Sequence, residues 1–205
     1  MQIIIQQHIP RTSFEFEYIT RSGNSIAYSL KLHLSEIFGG VANINNNSSS
    51  LLSSPFLIPP TTTMPPSYLY DERRKQWISN KILEWLLQIY NPGSNTKILA
   101  IFDFDAYSGN LNFVLGEAHL GGRVAAIYLP RLRQELFYSK NADTISLFEQ
   151  RVIKESVHEL GHAFGLIHCE KSRCVMHFSN SLRDTDVKHY RFCERCNNIL
   201  KGQAT

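Results

Sequence analysis

The sequence predicts one β-sheet with helices packed on it, an α+β or α/β arrangement, in a chain of 205 residues. Three observations carry this reading. The runs KILAIFDF at 97–104 and RVAAIYL at 123–129 are almost wholly apolar, as inner strands covered on both faces must be. Segments with apolar residues at helical spacing alternate with such runs. No internal repeat replaces that alternation, and the length suits a single core with at most a small appendage.

From the N-terminus, Ile3 to Ile5 read as a short strand. Residues 25–37 fit two templates. Tyr28, Leu30, Leu32 and Leu34 alternate like a strand, whereas Ile26, Leu30, Leu34 and Ile37 share a helical face. Asn24 or Ser25 as a cap and Gly39-Gly40 as a stop favour the helix. The stretch 42–66, ANINNNSSSLLSSPFLIPPTTTMPP, offers too little apolar surface to offset its ordering entropy and reads as a flexible insertion. Residues 71–90 carry Ile78, Ile82, Trp85 and Ile89 on a helical face, ended by Asn91-Pro92-Gly93. LNFVLGEA at 111–118 is a shorter strand candidate between the two inner ones. A long helix starts near Asp143 and runs through Phe148, Val152, Val157, Leu160 and Phe164.

Charge and cysteine usage single out the last segment. The net charge of +3 comes from 21 basic and 18 acidic residues. From Cys169 onward there are seven Lys or Arg against four Asp or Glu, so the whole surplus sits there. All four cysteines, Cys169, Cys174, Cys193 and Cys196, lie there too. No apolar run approaches the roughly 18–20 residues that span a bilayer. The start, MQIIIQQHIP, lacks the basic lead of an export signal, so a cytoplasmic chain is expected. In that reducing compartment, clustered cysteines bind metal more often than they form disulfides.

The chemistry concentrates in HELGHAFGLIHCEKSRCVM, residues 158–176. His158 and His162 are four apart, so both imidazoles leave one face of the long helix one turn apart and reach a common ion. Glu159 projects beside the pair, where a carboxylate can take a proton from water. Gly165 can adopt positive φ and turn the chain so that His168 returns as a third nitrogen ligand. Three protein ligands leave one position on zinc open, which is the arrangement of a catalytic site. A bare HExxH also occurs on ordinary surface helices; the added glycine and third histidine make the pattern far stricter. Cys169 and Cys174, then Cys193 and Cys196, form two close pairs suited to a closed four-thiolate zinc, with two disulfides or free buried thiols as the alternative. Because His168 and Cys169 are consecutive, the second ion would brace the loop that holds the third histidine, and the tail would be fastened by metal in place of a large core.

These residues resemble the metzincin clan of zinc peptidases. His158, Glu159, His162, Gly165 and His168 match its long zinc motif, and Met176 matches its Met-turn methionine. Within the clan, the four cysteines resemble the archaemetzincins. The specific match covers 158–196, with DFDAYSGNLNFVLGEA at 103–118 resembling the family's approach to its substrate-side edge strand. The resemblance implies an α+β metzincin fold. Residues 1–165 would form an N-terminal subdomain ending in the active-site helix, and 166–205 a C-terminal subdomain with the Met-turn and the four-cysteine site. It implies a zinc metallopeptidase with two zinc ions per chain, one catalytic and one structural. An extended peptide would pair with an edge strand at 111–115. Phe178 stands where some metzincins carry a tyrosine two residues after the methionine, so any hydroxyl donor must come from elsewhere.

Other residues carry less. Met176 is a packing residue without chemistry of its own. His177 and His189 lie near a thiolate set already complete and read as surface histidines. Glu117 would make the enzyme an aminopeptidase if it received a free peptide N-terminus; a solvated carboxylate is the plainer reading. Arg73, Arg74 and Lys75 read as an exposed helix face, and Asp103 and Asp105 as either a cap or a substrate contact. The competing function is a zinc-organised peptide-binding module without turnover, motivated by Phe178 and the insertion. A nucleic-acid knuckle of Lys171, Arg173, Lys188, Arg191 and Arg195 leaves the histidines unexplained. The expected partner is therefore a peptide or protein substrate, with neither nucleic acid nor membrane, acted on by a monomer.

Overall fold

The computed structural model describes residues 2–8, 26–39, 57–58, 64–94, 96–134, 138 and 141–202. Its strands are β1 (Gln2–His8), β2 (Leu57–Ile58), β3 (Tyr70–Asp71), β4 (Gln76–Ile78), β5 (Thr96–Phe102), β6 (Ala106–Tyr107), β7 (Gly116–Ala118) and β8 (Val124–Tyr128). The helices are α1 (Ile26–Phe38), α2 (Ser79–Tyr90), α3 (Leu129–Leu132), α4 (Ala142–Ala163), α5 (Leu182–Val187) and α6 (Glu194–Gly202). The class is α+β: a five-stranded sheet in the order β2-β1-β5-β8-β7, and a three-stranded one in the order β3-β4-β6. Among the described residues no helix is long and apolar enough to cross a membrane.

The two apolar runs are inner strands, as is β1. β5 pairs in parallel with β1 on one side and β8 on the other. Period-2 alternation divides their side chains between two cores. Leu99, Ile101, Ala125 and Ile127 face α1 and α4, while Ile98, Ala100, Phe102, Val124, Ala126 and Tyr128 face α2. β7 is antiparallel to β8 and closes the sheet as an edge.

Residues 25–37 resolve to the helix α1, which buries Leu30, Leu34 and Phe38; the proposed caps Asn24 and Ser25 lie outside the described residues. Most of 42–66 also lies outside them, but Leu57–Ile58 pair in parallel with β1 as an edge strand.

Two expectations need correction. The helix expected over 71–90 starts only at Ser79. Tyr70–Ile78 instead forms the β3–β4 hairpin. The Asp71 carboxylate accepts from the backbone N–H of Arg73 (2.9 Å) and Arg74 (3.2 Å), a side-chain-stabilised turn that competes with helix. Lys75 completes the turn at φ 55°, so Arg73, Arg74 and Lys75 lie on a hairpin tip and on no helix. The ladder expected through 111–118 is confined to Gly116–Ala118. Upstream, Val114 N–H turns to Ala106 O (3.0 Å), and Arg74 and Gln76 donate to the carbonyls of Leu111 and Asn112.

The tail is not fastened by its cysteines alone. Leu166, Val175, Met176 and Leu200 are at most 2% exposed and belong to the same core cluster as α1, α4 and the sheet.

Candidate active site

The helix α4 positions the site. Asn141 caps it, its Oδ1 accepting from the N–H of Asp143 (3.0 Å) and Thr144 (2.9 Å). Residues 151–160 are all buried, although Arg151, Lys154, Glu155, Ser156, His158 and Glu159 are polar. Such burial requires partners. Arg151 makes a two-pronged pair with Asp186, both contacts at 2.7 Å, and Lys154 donates to Asp186 O (2.9 Å).

His158 and His162 project from one face, with Nε2 atoms 3.1 Å apart, and His168 Nε2 lies 3.2 Å from that of His162. Nδ1 of His158 donates to Val175 O and Nδ1 of His162 to Leu166 O, each at 2.7 Å. A carbonyl only accepts, so the ring proton sits on Nδ1 and the Nε2 lone pair faces the cluster. Burial holds His158 well below the usual imidazole range, and the charge of Lys188 and the neighbouring rings add to it. Burial also lowers His162 and His168. Neutral imidazoles with converging lone pairs form a set that could hold a metal ion.

The turn after the helix works as the spacing predicts. Gly165 has φ 87°, and its N–H and that of Leu166 close on His162 O (2.8 Å) and Gly161 O (2.9 Å). Lys97 Nζ from β5 donates to Ala163 O (2.8 Å), adding positive charge at the helix C-terminus. Beyond the turn, Cys169 N–H donates to Met176 O (2.9 Å), tying the segment of the third histidine to the methionine turn. Met176 is fully buried beneath the helix, where a Cβ on Gly161 would lie 2.4 Å from its Sδ. The Phe178 ring packs 4.9 Å from that of His168.

The histidines open into a cleft of about 340 Å³. It is lined by the segment 111–116, by Phe178, Ser179 and Asn180, and by Glu155, His158, Glu159 and His162 of α4. Glu159 is 5% exposed, and burial raises its carboxyl well above the usual range, helped by the charges of Glu155 and Glu117.

The four thiols cluster within 4.8 Å of one another. The Cys169–Cys193 and Cys174–Cys196 Sγ separations are both 3.8 Å, far beyond the roughly 2.05 Å of a disulfide, and all four are free. Burial pushes Cys174 and Cys196 up. It pushes Cys193 up as well, but hydrogen bonds from the Cys196 backbone and the neighbouring thiols outweigh it and bring Cys193 to about 7.

Other candidates fall outside the cleft. Glu117 accepts from Ser108 Oγ (2.7 Å) and does not line the cleft. Asp105 is gripped by Arg131 at 2.7 Å and Asp103 by Arg133, so both serve the fold. Lys188, one of the cations that motivated the nucleic-acid alternative, is wholly buried and pairs with Glu155 (3.4 Å), which also accepts from Thr185 Oγ1 (3.1 Å). Sequence reading missed this pair, although Glu155 stands one turn before Glu159 on the same face.

A helix-borne histidine pair, a third histidine and an adjacent glutamate in a cleft define a class, the zinc metallopeptidases. The model of Peptidase family M54 matches residues 7–202, and the chain belongs to that family. It is 45% identical to the archaemetzincin of Methanocaldococcus jannaschii over 140 residues, 68% of this chain and 74% of that protein. It is 42% identical to the archaemetzincin of Pyrococcus abyssi over 139 residues, 68% of this chain and 73% of that one. Among solved structures, the archaemetzincin of Methanopyrus kandleri superposes with a TM-score of 0.73 at 29% identity, covering 99% of this chain and 94% of that one. The archaemetzincin of Archaeoglobus fulgidus gives 0.65 at 29% identity, covering 97% and 99%. The protein is a zinc metallopeptidase that acts on peptide substrates.

Proposed function

We propose that His158, His162 and His168 hold the catalytic zinc and that Glu159 is the general base. The supporting observation is that the Nε2 atoms of His158 and His168 lie 3.1 Å and 3.2 Å from that of His162, with the protons of His158 and His162 committed to carbonyls on the far side of the ring. Zn–N bonds of about 2.05 Å in a tetrahedron require nitrogens about 3.3 Å apart, so the donor set fits. When bound, zinc supplies Lewis acidity, polarising a carbonyl and lowering the pKa of water towards about 7. The Glu159 carboxylate takes the proton of the attacking water and returns it to the departing amine.

The peptide lies along the open edge of β7. Leu115 O and His119 N–H bond towards β8, to Tyr128 N–H (2.9 Å) and Val124 O (3.2 Å). By the alternation of antiparallel pairing, Gly116 and Ala118 direct their N–H and C=O to the free side. Backbone pairing there would hold substrates of varied sequence. Phe178 offers no hydroxyl, and Asn180 beside it on the cleft wall carries N–H donors.

Cys169, Cys174, Cys193 and Cys196 hold a second, structural zinc. Zn–S bonds of about 2.3 Å place tetrahedral sulfurs about 3.8 Å apart, which is the separation of Cys169 from Cys193 and of Cys174 from Cys196. Residues 166–205 then act as a brace behind the histidines.

The test is Glu159→Ala. Protein that keeps both metals and loses all hydrolysis of peptides cleaved by the wild type supports the assignment. Equal activity would remove Glu159 from the mechanism.

A further inference from the structure

Gly116 has no side chain, and the space beside it is already taken. A Cβ built there would lie 2.6 Å from Glu159 Cγ and 2.7 Å from Glu159 Oε1. It would also lie 2.9 Å from Ala126 O on the neighbouring strand. Real Cβ atoms do not come this close, so the glycine is required by close approach, not by backbone conformation.

Three facts meet at this residue. Gly116 lines the cleft together with the three histidines and Glu159. It belongs to the edge strand and turns its N–H and C=O to the free side. Its missing side chain is the slot occupied by the buried Glu159 carboxylate. We propose that Gly116 is a positioning residue that sets the Glu159 carboxylate against the backbone edge on which the peptide docks. This rests on the reading of Glu159 as general base. The strand acts as a ruler: a peptide paired at Gly116 has its backbone beside the carboxylate that moves the proton. A methyl group at 116 would press on Glu159 Cγ and Oε1 and, on the other side, on Ala126 O, so the test must separate the two contacts. Displacement of a reacting group by about 1 Å costs on the order of 100-fold in rate.

The experiment is a double-mutant cycle between Gly116→Ala and Glu159→Ala, with kcat, KM, zinc content and thermal unfolding measured for each protein. Gly116→Ala should lower kcat at least 10-fold with two zinc ions retained and KM changed far less. In the Glu159→Ala background the same methyl should have no further effect on residual rate, and a smaller effect on thermal unfolding than in the wild type. Wild-type kcat in Gly116→Ala, with Glu159→Ala inactive, would overturn the positioning role while leaving the base intact. Activity retained by Glu159→Ala would instead strike at the base assignment. If Gly116→Ala alone does not fold, the double variant decides. Folding restored by removing Glu159 supports the slot, whereas a double variant that still fails would assign the glycine to the Ala126 contact and overturn the proposal.

Discussion

Lys188 Nζ and Glu155 Oε1 lie 3.4 Å apart with side chains 0% and 4% exposed, an enclosed ion pair one helical turn from Glu159. Lys188 follows α5 and also donates to His177 O (3.1 Å), so one ammonium joins the active-site helix to the segment after the methionine turn. Its charge also reaches the cluster, depressing His158, His162 and His168 behind the larger effect of burial.

Removing one member of such a pair strands the other. Lys188→Met should cost about 3–5 kcal/mol in urea unfolding, because Glu155 is left charged and unpaired in the interior. The double variant Lys188→Met with Glu155→Gln should recover much of that loss. Additive losses would show that the two side chains do not act on each other.

Lys97 answers a different need. It is 7% exposed, and its ammonium donates to Ala163 O and Gly122 O. Lys97→Met leaves Ala163 O at the end of α4 and Gly122 O before β8 without this donor and should destabilise by about 1–3 kcal/mol. Burial, then the charge of Arg123, holds the Lys97 ammonium below the usual lysine range. The unfolded chain therefore binds the proton more tightly. Stability contributed by this group rises as pH climbs from the depressed folded value to the ordinary 10.5, where the unfolded chain also releases its proton. Unfolding measured across that window should show the rise in the wild type and lack it in Lys97→Met.

The thiolate cluster should control the histidine cluster. His168 and Cys169 are adjacent, and Cys169 N–H holds Met176 O. Cys169→Ser and Cys193→Ser should each lower zinc content from two to one or fewer per chain. Each should also weaken metal retention at the histidines against a chelator by about 10-fold or more, as loss of supporting contacts does at other metal sites. Full zinc content in both variants would contradict a four-thiolate ion.

The sequence exposes this site because its pattern is local. His158, Glu159 and His162 share one helix, and a single glycine turn returns His168. The inner strands β5 and β8 were equally legible, since burial on both faces leaves continuous apolar runs. What stayed hidden depends on contacts distant in sequence. The spacing of Ile78, Ile82, Trp85 and Ile89 marks a helix but not where it starts, and that start depends on Asp71 binding two N–H groups of the preceding turn. Lys188 looks like a surface cation until its chain passes under α4 to Glu155. Gly116 carries no signal at all, because its meaning lies in the position of a side chain 43 residues later.

The most direct test is anomalous diffraction at the zinc edge from crystals of zinc-replete protein. Two peaks are expected: one about 2.0–2.1 Å from Nε2 of His158, His162 and His168 with no fourth protein ligand, and one about 2.3 Å from the four Sγ atoms. Absence of the first peak, or a protein side chain filling its fourth position, would contradict a catalytic zinc held by the three histidines.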